Sequence, residues 1–272
     1  MFRILSSVLF ASILLVLLSG RVMAQEAVAE KPVQQMVGES YLYAIDFLFF
    51  TNLAEGELRL SETDKLNVFR AELVGRTLGV ASWLTGDRTQ TYTSLMELVP
   101  GGSLRSIEHS SKIDKRRWGK RRQREHRYRY DYEKGKLFDE KLKEDGVHSK
   151  KEVNIPAGQY PVDMLTAFYN LRAGVYGQLV RGSQFMIPTY AKGKFTEIEV
   201  NILTIEQQAE QQYFPSHGLL VNVRINPEVF DTDSGNLFVW FDSAGIPERG
   251  IVEDVIGLGD VRGRQVSGQN VL

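Results

Sequence analysis

Between Glu152 and Gly182 the chain carries one stretch of helical periodicity, EVNIPAGQYPVDMLTAFYNLRAGVYGQLVRG, set among runs that read as strands. Met164, Leu165, Phe168 and Leu171 recur at three- and four-residue spacing and share one face. Pro161 and Asp163 suit a first turn, where a missing N–H is tolerated and negative charge is favoured, and Gly174 suits the stop. A single helix among strands has to bury its apolar face on a sheet or inside an incomplete barrel.

The flanking sequence alternates with period two. In ESYLYAIDFLFF (39–50), Tyr41, Tyr43, Ile45, Phe47 and Phe49 share one strand face, and Leu42, Ala44, Asp46 and Leu48 share the other. Glu57–Leu60, Asn67–Val74, Thr89–Leu98 and Leu104–Ser110 continue as neighbouring antiparallel strands separated by turn residues. Leu78–Leu84 reads equally as a short helix or a bent strand. Past the helix, 182–188, 193–205, Leu219–Ile225 and Leu237–Phe241 are further strands, followed by a weak one after Pro247. The fold class expected is mainly β with minor α. Its form is a strongly curved antiparallel sheet or incomplete β-barrel, with one central helix packed on the concave face. The helix should meet Tyr43, Phe47 and Trp240 there.

The N-terminus bears on compartment. Arg3, the apolar run Val8–Leu18 and the small residues Val22 and Ala24 have the layout of a signal peptide over residues 1–24. A single membrane anchor is the alternative, and the apolar core is short for it. Residues 25–37 are polar and read as a flexible linker, 38–262 as a single β domain, and 263–272 as a frayed Gly-rich tail. There is no cysteine, so no disulfide framework and no acylated lipobox thiol. Loss of Arg3 and Arg21 with the leader would move the net charge from −1 to −3. That balance argues against nucleic acid as a partner.

Catalytic signatures are absent from the pattern. The four histidines (His109, His126, His148, His217) have no ligand or carboxylate partner at helical spacing, so no metal site and no cofactor is expected. DTDSGN (231–236) has the oxygen-rich look of a calcium loop. The position of its closing glutamate is Phe241, which leaves a hairpin loop. The charged segment is different. Ten basic residues lie between Lys112 and Arg129 against only Asp114 and Glu125, with Trp118, Tyr128 and Tyr130 interleaved. Arg121, Arg122, Arg124, Arg127 and Arg129 are candidates for contact with anionic groups, such as an acidic membrane surface. The competing reading is a solvated edge strand that uses charge to block edge-to-edge pairing.

Three segments, in order, carry a resemblance. GESYLYAIDFLFFTNLAEGELRL resembles the first two strands of the bacterial exported family called domain of unknown function 3108. VDMLTAFYNLR is similar to its hallmark helix, through Asp163, Leu165, Thr166, Ala167, Phe168, Tyr169, Leu171 and Arg172. LFVWFDSAGIPERGIVEDVIGLGDV is similar to its terminal hairpin, with Asp242, Pro247 and Gly257 in matching places. The resemblance implies an envelope protein with a curved sheet like that of the lipoprotein carriers LolA and LolB. It supplies no activity and no catalytic residues. The expectation is a periplasmic, non-enzymatic protein that binds a lipid-like or amphipathic ligand, or an envelope protein partner. Tyr43, Phe47, Met164, Leu165, Phe168, Leu171 and Trp240 would be the ligand-contacting residues. A ligand-free structural or assembly factor of the envelope is the alternative.

Overall fold

A computed structural model describes residues 31–47, 50–79, 82, 87–117, 119–144 and 146–270. The expected signal peptide (1–24), the linker as far as residue 30, and Trp118 lie outside the described residues.

The eight strands before the central helix are β1 (Glu39–Phe47), β2 (Phe50–Glu62), β3 (Val68–Thr77), β4 (Asp87–Leu98), β5 (Leu104–Arg117), β6 (Lys120–Asp131), β7 (Lys136–Lys143) and β8 (Gly146–Asn154). Six follow it: β9 (Gln184–Ala191), β10 (Lys194–Ile202), β11 (Leu219–Arg224), β12 (Asn236–Phe241), β13 (Pro247–Val255) and β14 (Gly259–Asn270). All fourteen form one sheet in the order β8-β7-β6-β5-β4-β3-β2-β1-β14-β13-β12-β11-β10-β9. Every neighbouring pair is antiparallel, and the sheet does not close, since β8 and β9 are its two edges.

The chain is thus two meanders joined by the pairing of β1 with β14, in which Ala44 faces Arg264 and Phe47 faces Val261. The β9 edge is met at one point by the segment before the helix, through an isolated parallel bridge of Val162 with Thr189. Val162 N–H donates to Pro188 O (2.9 Å) and Thr189 Oγ1 donates to Val162 O (2.6 Å). Tyr190 of β9 then stands edge-on to Tyr128 of β6 at 5.3 Å, so the sheet curls far enough for its first and last parts to touch.

Inside the curl lies α2 (Met164–Arg172); two short helices are α1 (Val33–Met36), which shares a hydrophobic cluster with α2, and α3 (Ile205–Ala209). Asp163 caps α2, its side chain accepting from the backbone N–H groups of Leu165 and Thr166. The C-terminus closes in a Schellman turn. Gly174 at φ 72° donates to Leu171 O, and Val175 donates to Asn170 O. The helix is covered all round rather than on one face, since Leu165, Thr166, Ala167, Tyr169, Asn170, Leu171 and Arg172 are all buried. It is a plug within the half-barrel, and that is why polar residues with built partners line it.

Two parts of the expected layout need correction. The tail does not fray from Gly263: it runs in β14 to Asn270, pairing with β1 on one side and β13 on the other. The linker also ends earlier than residue 37, because Val33 and Met36 are fully buried in the cluster that includes Tyr41, Leu60 and Leu165.

Candidate functional site

The helix sits between two hydrophobic clusters. Ala167 and Leu171 belong to one built from β9 to β12, and Leu165 and Tyr169 to another built from α1 and β1 to β5. Phe168 packs against both. Between helix and sheet the packing is incomplete. A cavity of about 340 Å³ remains, lined by Tyr43, Ile45, Leu58 and Leu73 from one half, Val223, Leu237 and Val239 from the other, and Met164 and Phe168 from the helix. That volume lies within the range of small-molecule sites, and the wall is almost wholly hydrocarbon.

Of the expected ligand residues, Tyr43, Met164, Leu165, Phe168 and Leu171 line this cavity together. The Tyr43 hydroxyl donates to Pro247 O at 2.7 Å, and burial holds its pKa well above the usual phenol value. Phe47 is at the far end of β1, opposite Val261 and Phe50, and is not part of the wall. Trp240 is a correction. It points to the other face of the sheet, into a cluster with Phe214, Leu220, Phe238 and Ile251, where its indole N–H donates to His217 O (2.7 Å). The loop that covers it requires Gly218. A Cβ there would come within 2.4 Å of Phe241 O and 2.8 Å of the Trp240 ring. In LFVWF the residues at the cavity are Leu237, Phe238 and Val239, and Trp240 is not among them.

Polar groups organise the ends of α2. Asp163 is buried, and its Oδ1 accepts from Ser94 Oγ (2.6 Å), Leu165 N (2.9 Å) and Thr166 N (3.0 Å). Its Oδ2 accepts from Ser106 Oγ and Thr166 Oγ1, both at 2.6 Å. Burial by itself would raise the carboxyl pKa. His109 at 3.5 Å and the serine hydroxyls override it and hold the group well below the carboxylate range. Ser94, His109 and Asp163 have the composition of a nucleophilic triad but not its wiring. Ser94 donates straight to the carboxylate, with His109 Nδ1 on its other side at 2.9 Å, whereas activation needs the histidine between the two. The set is a capping network.

At the other end Arg172 forks onto Glu39, Nη1 to Oε2 at 2.7 Å and Nη2 to Oε1 at 3.2 Å, and Nε donates to Gly245 O. Burial would raise the Glu39 pKa, and the Arg172 fork with Lys31 (2.6 Å) reverses that and leaves it lowered. Asn170 bonds both backbone groups of Leu104, accepting at 2.7 Å and donating at 2.9 Å, so the helix is tied to β5 as an extra strand would be.

A second cavity of about 500 Å³, its wall partly polar and partly hydrocarbon, lies on the β6 side of the helix start. Its wall includes His109, His126, Tyr128 and Tyr190. His126 Nε2 meets Asp139 Oδ1 at 2.6 Å, and Tyr190 donates to the other carboxylate oxygen at 3.1 Å. Burial would raise the Asp139 pKa; His126 and Tyr190 lower it.

The basic segment is a hairpin of β5 and β6, and neither strand is an edge, contrary to the edge-strand reading. Arg121 is held by Asp114, Arg127 by Glu125 (2.6 Å) and Arg129 by Glu140 (2.8 Å). Arg122 and Arg124 are exposed and have no carboxylate partner among the described residues. No group of three or more potential metal ligands occurs among the described residues, and none of their helices is long and apolar enough to cross a membrane.

With this geometry in view, the sequence profile of the protein family of unknown function DUF3108 matches residues 42–261. The chain belongs to that family. The fold is also similar to the crystal structure of a β-barrel-like protein of domain of unknown function DUF1849 from Brucella abortus, at a TM-score of 0.46 and 10% identity. That likeness covers 86% of this chain and 98% of the other. No curated protein matches the sequence.

Proposed function

We propose that this DUF3108 protein is an exported, non-enzymatic binding protein of the periplasm whose ligand is a lipid-like or amphipathic envelope component. The observation that supports the reading is the apolar cavity between α2 and the sheet. The pocket is partly open to solvent, and an almost wholly apolar wall beside a rigidly capped helix stays in contact with water unless something covers it. Nothing about the helix allows it to collapse into the space. Asp163, Asn170 and Arg172 fix it at both ends and the middle.

The test combines lipid mass spectrometry of the protein purified from the periplasm with titration of an environment-sensitive alkyl fluorophore. Co-purification of a stoichiometric lipid and saturable probe binding are expected. The variant Val239→Phe, which adds a ring to the cavity wall, should reduce probe affinity about tenfold or more while leaving the protein folded. A protein that carries no lipid and gives the same weak probe response with and without Val239→Phe would leave the ligand-free assembly factor as the better reading.

A further inference from the structure

The two cavities are neighbours. Met164, Ile198 and Ile225 line both, so the first residue of α2 stands on the boundary between an apolar chamber and a partly polar one. The polar chamber is graded. Its inner wall carries the hydroxyls of Tyr128 and Tyr190 and the ring of His126, each already placed by a hydrogen bond. Arg124, Lys141 and Lys192 also line it; Arg124 and Lys192 make no ion pair with a carboxylate among the described residues, and Lys141 shares the field of Asp139 with His126. The chamber also contains acids. Glu125 is taken up by Arg127 at 2.6 Å and Asp163 by the helix cap, while Asp231 stands exposed. Unpaired positive charge is therefore in excess at the mouth of a chamber that opens beside a hydrocarbon one.

We infer that the ligand is an anionic amphiphile, its alkyl chain in the apolar cavity and its phosphate- or carboxylate-bearing head in the polar cavity against Arg124, Lys141 and Lys192. This rests on the amphiphile-binding reading above and adds the sign and position of the head group. Arg124 offers a forked donor to such a group, and the two lysines offer point charges from the facing walls. Met164, unbranched and adaptable, suits the place where chain meets head.

Calorimetric titrations with decyl phosphate, decyl glucoside and inorganic phosphate, each below any micelle concentration, separate the alternatives. The wild-type protein is expected to bind decyl phosphate about tenfold or more tightly than decyl glucoside. Inorganic phosphate should bind far more weakly than either. The triple variant Arg124→Gln, Lys141→Gln, Lys192→Gln should lose the preference and its salt dependence while binding decyl glucoside as before. Equal affinity for the two decyl compounds in the wild type would overturn the inference and leave the amphiphile reading standing. So would a preference that survives the triple variant. Inorganic phosphate binding as tightly as decyl phosphate would mark a free-anion site and also overturn it. Failure of both decyl compounds to bind would remove the amphiphile reading itself.

Discussion

At Asp163 one carboxylate satisfies two backbone N–H groups and three hydroxyls with no water needed, so its replacement separates capping from charge. Asparagine keeps an acceptor for the helix N–H groups, and the hydroxyls of Ser106 and Thr166 can turn to accept from its amide. Asp163→Asn is expected to cost about 1–2 kcal/mol, and Asp163→Ala about 3–5 kcal/mol because it orphans the whole set. Urea denaturation measures both. The pH dependence has a definite sign. The folded-state pKa is depressed, so the carboxylate's contribution is complete above the ordinary value of about 4 and is lost as pH falls through the folded value. The wild-type protein should therefore lose stability more steeply below about pH 4 than Asp163→Asn does.

Among the elements, α2 is tied to β1 by Arg172 and Glu39. A buried pair of this kind is worth most as a matched set. Glu39→Leu or Arg172→Met alone should cost about 3–5 kcal/mol, whereas the double variant Glu39→Leu, Arg172→Met should recover most of that loss, as a double-mutant cycle would show. This helix and its stop at Gly174 were legible in the sequence, but its start was read too early: Pro161 precedes it and Asp163 is its cap, not part of its first turn. The strands were legible wherever period-two alternation is clean. β14 was not: Gly259, Gly263 and Gly268 dilute its alternation, and only pairing on both sides makes it a strand. Nor was α1, whose buried Val33 and Met36 stand in a mostly polar run with no sustained helical periodicity. Trp240 misled because an aromatic residue next to a cavity-facing one looks equally suited until parity is counted. The cavities themselves cannot be read from sequence. They are set by how far the sheet's curvature holds Val223 and Leu237 from Tyr43 and Leu73, and no residue encodes an empty space.

For the whole molecule, the pairing of β1 with β14 is the seam on which everything inside the half-barrel depends. Remove it and the sheet becomes two separate meanders, β1 to β8 and β9 to β14, each presenting half of a wall. The seam brings together residues as far apart in sequence as Tyr43 and Gln265, the costliest kind of loop to close, while each hairpin on either side is local. The molecule should accordingly resemble a clasp that shuts late. Stopped-flow refolding should show that Leu137→Ala in the β6–β7 hairpin slows folding, whereas Ala44→Gly in the seam acts mainly on the unfolding rate. Until the clasp shuts, both half-walls lie bare to solvent with their hydrocarbon outward, so the interval before closure is when the chain is most prone to aggregate and most in need of a holding chaperone.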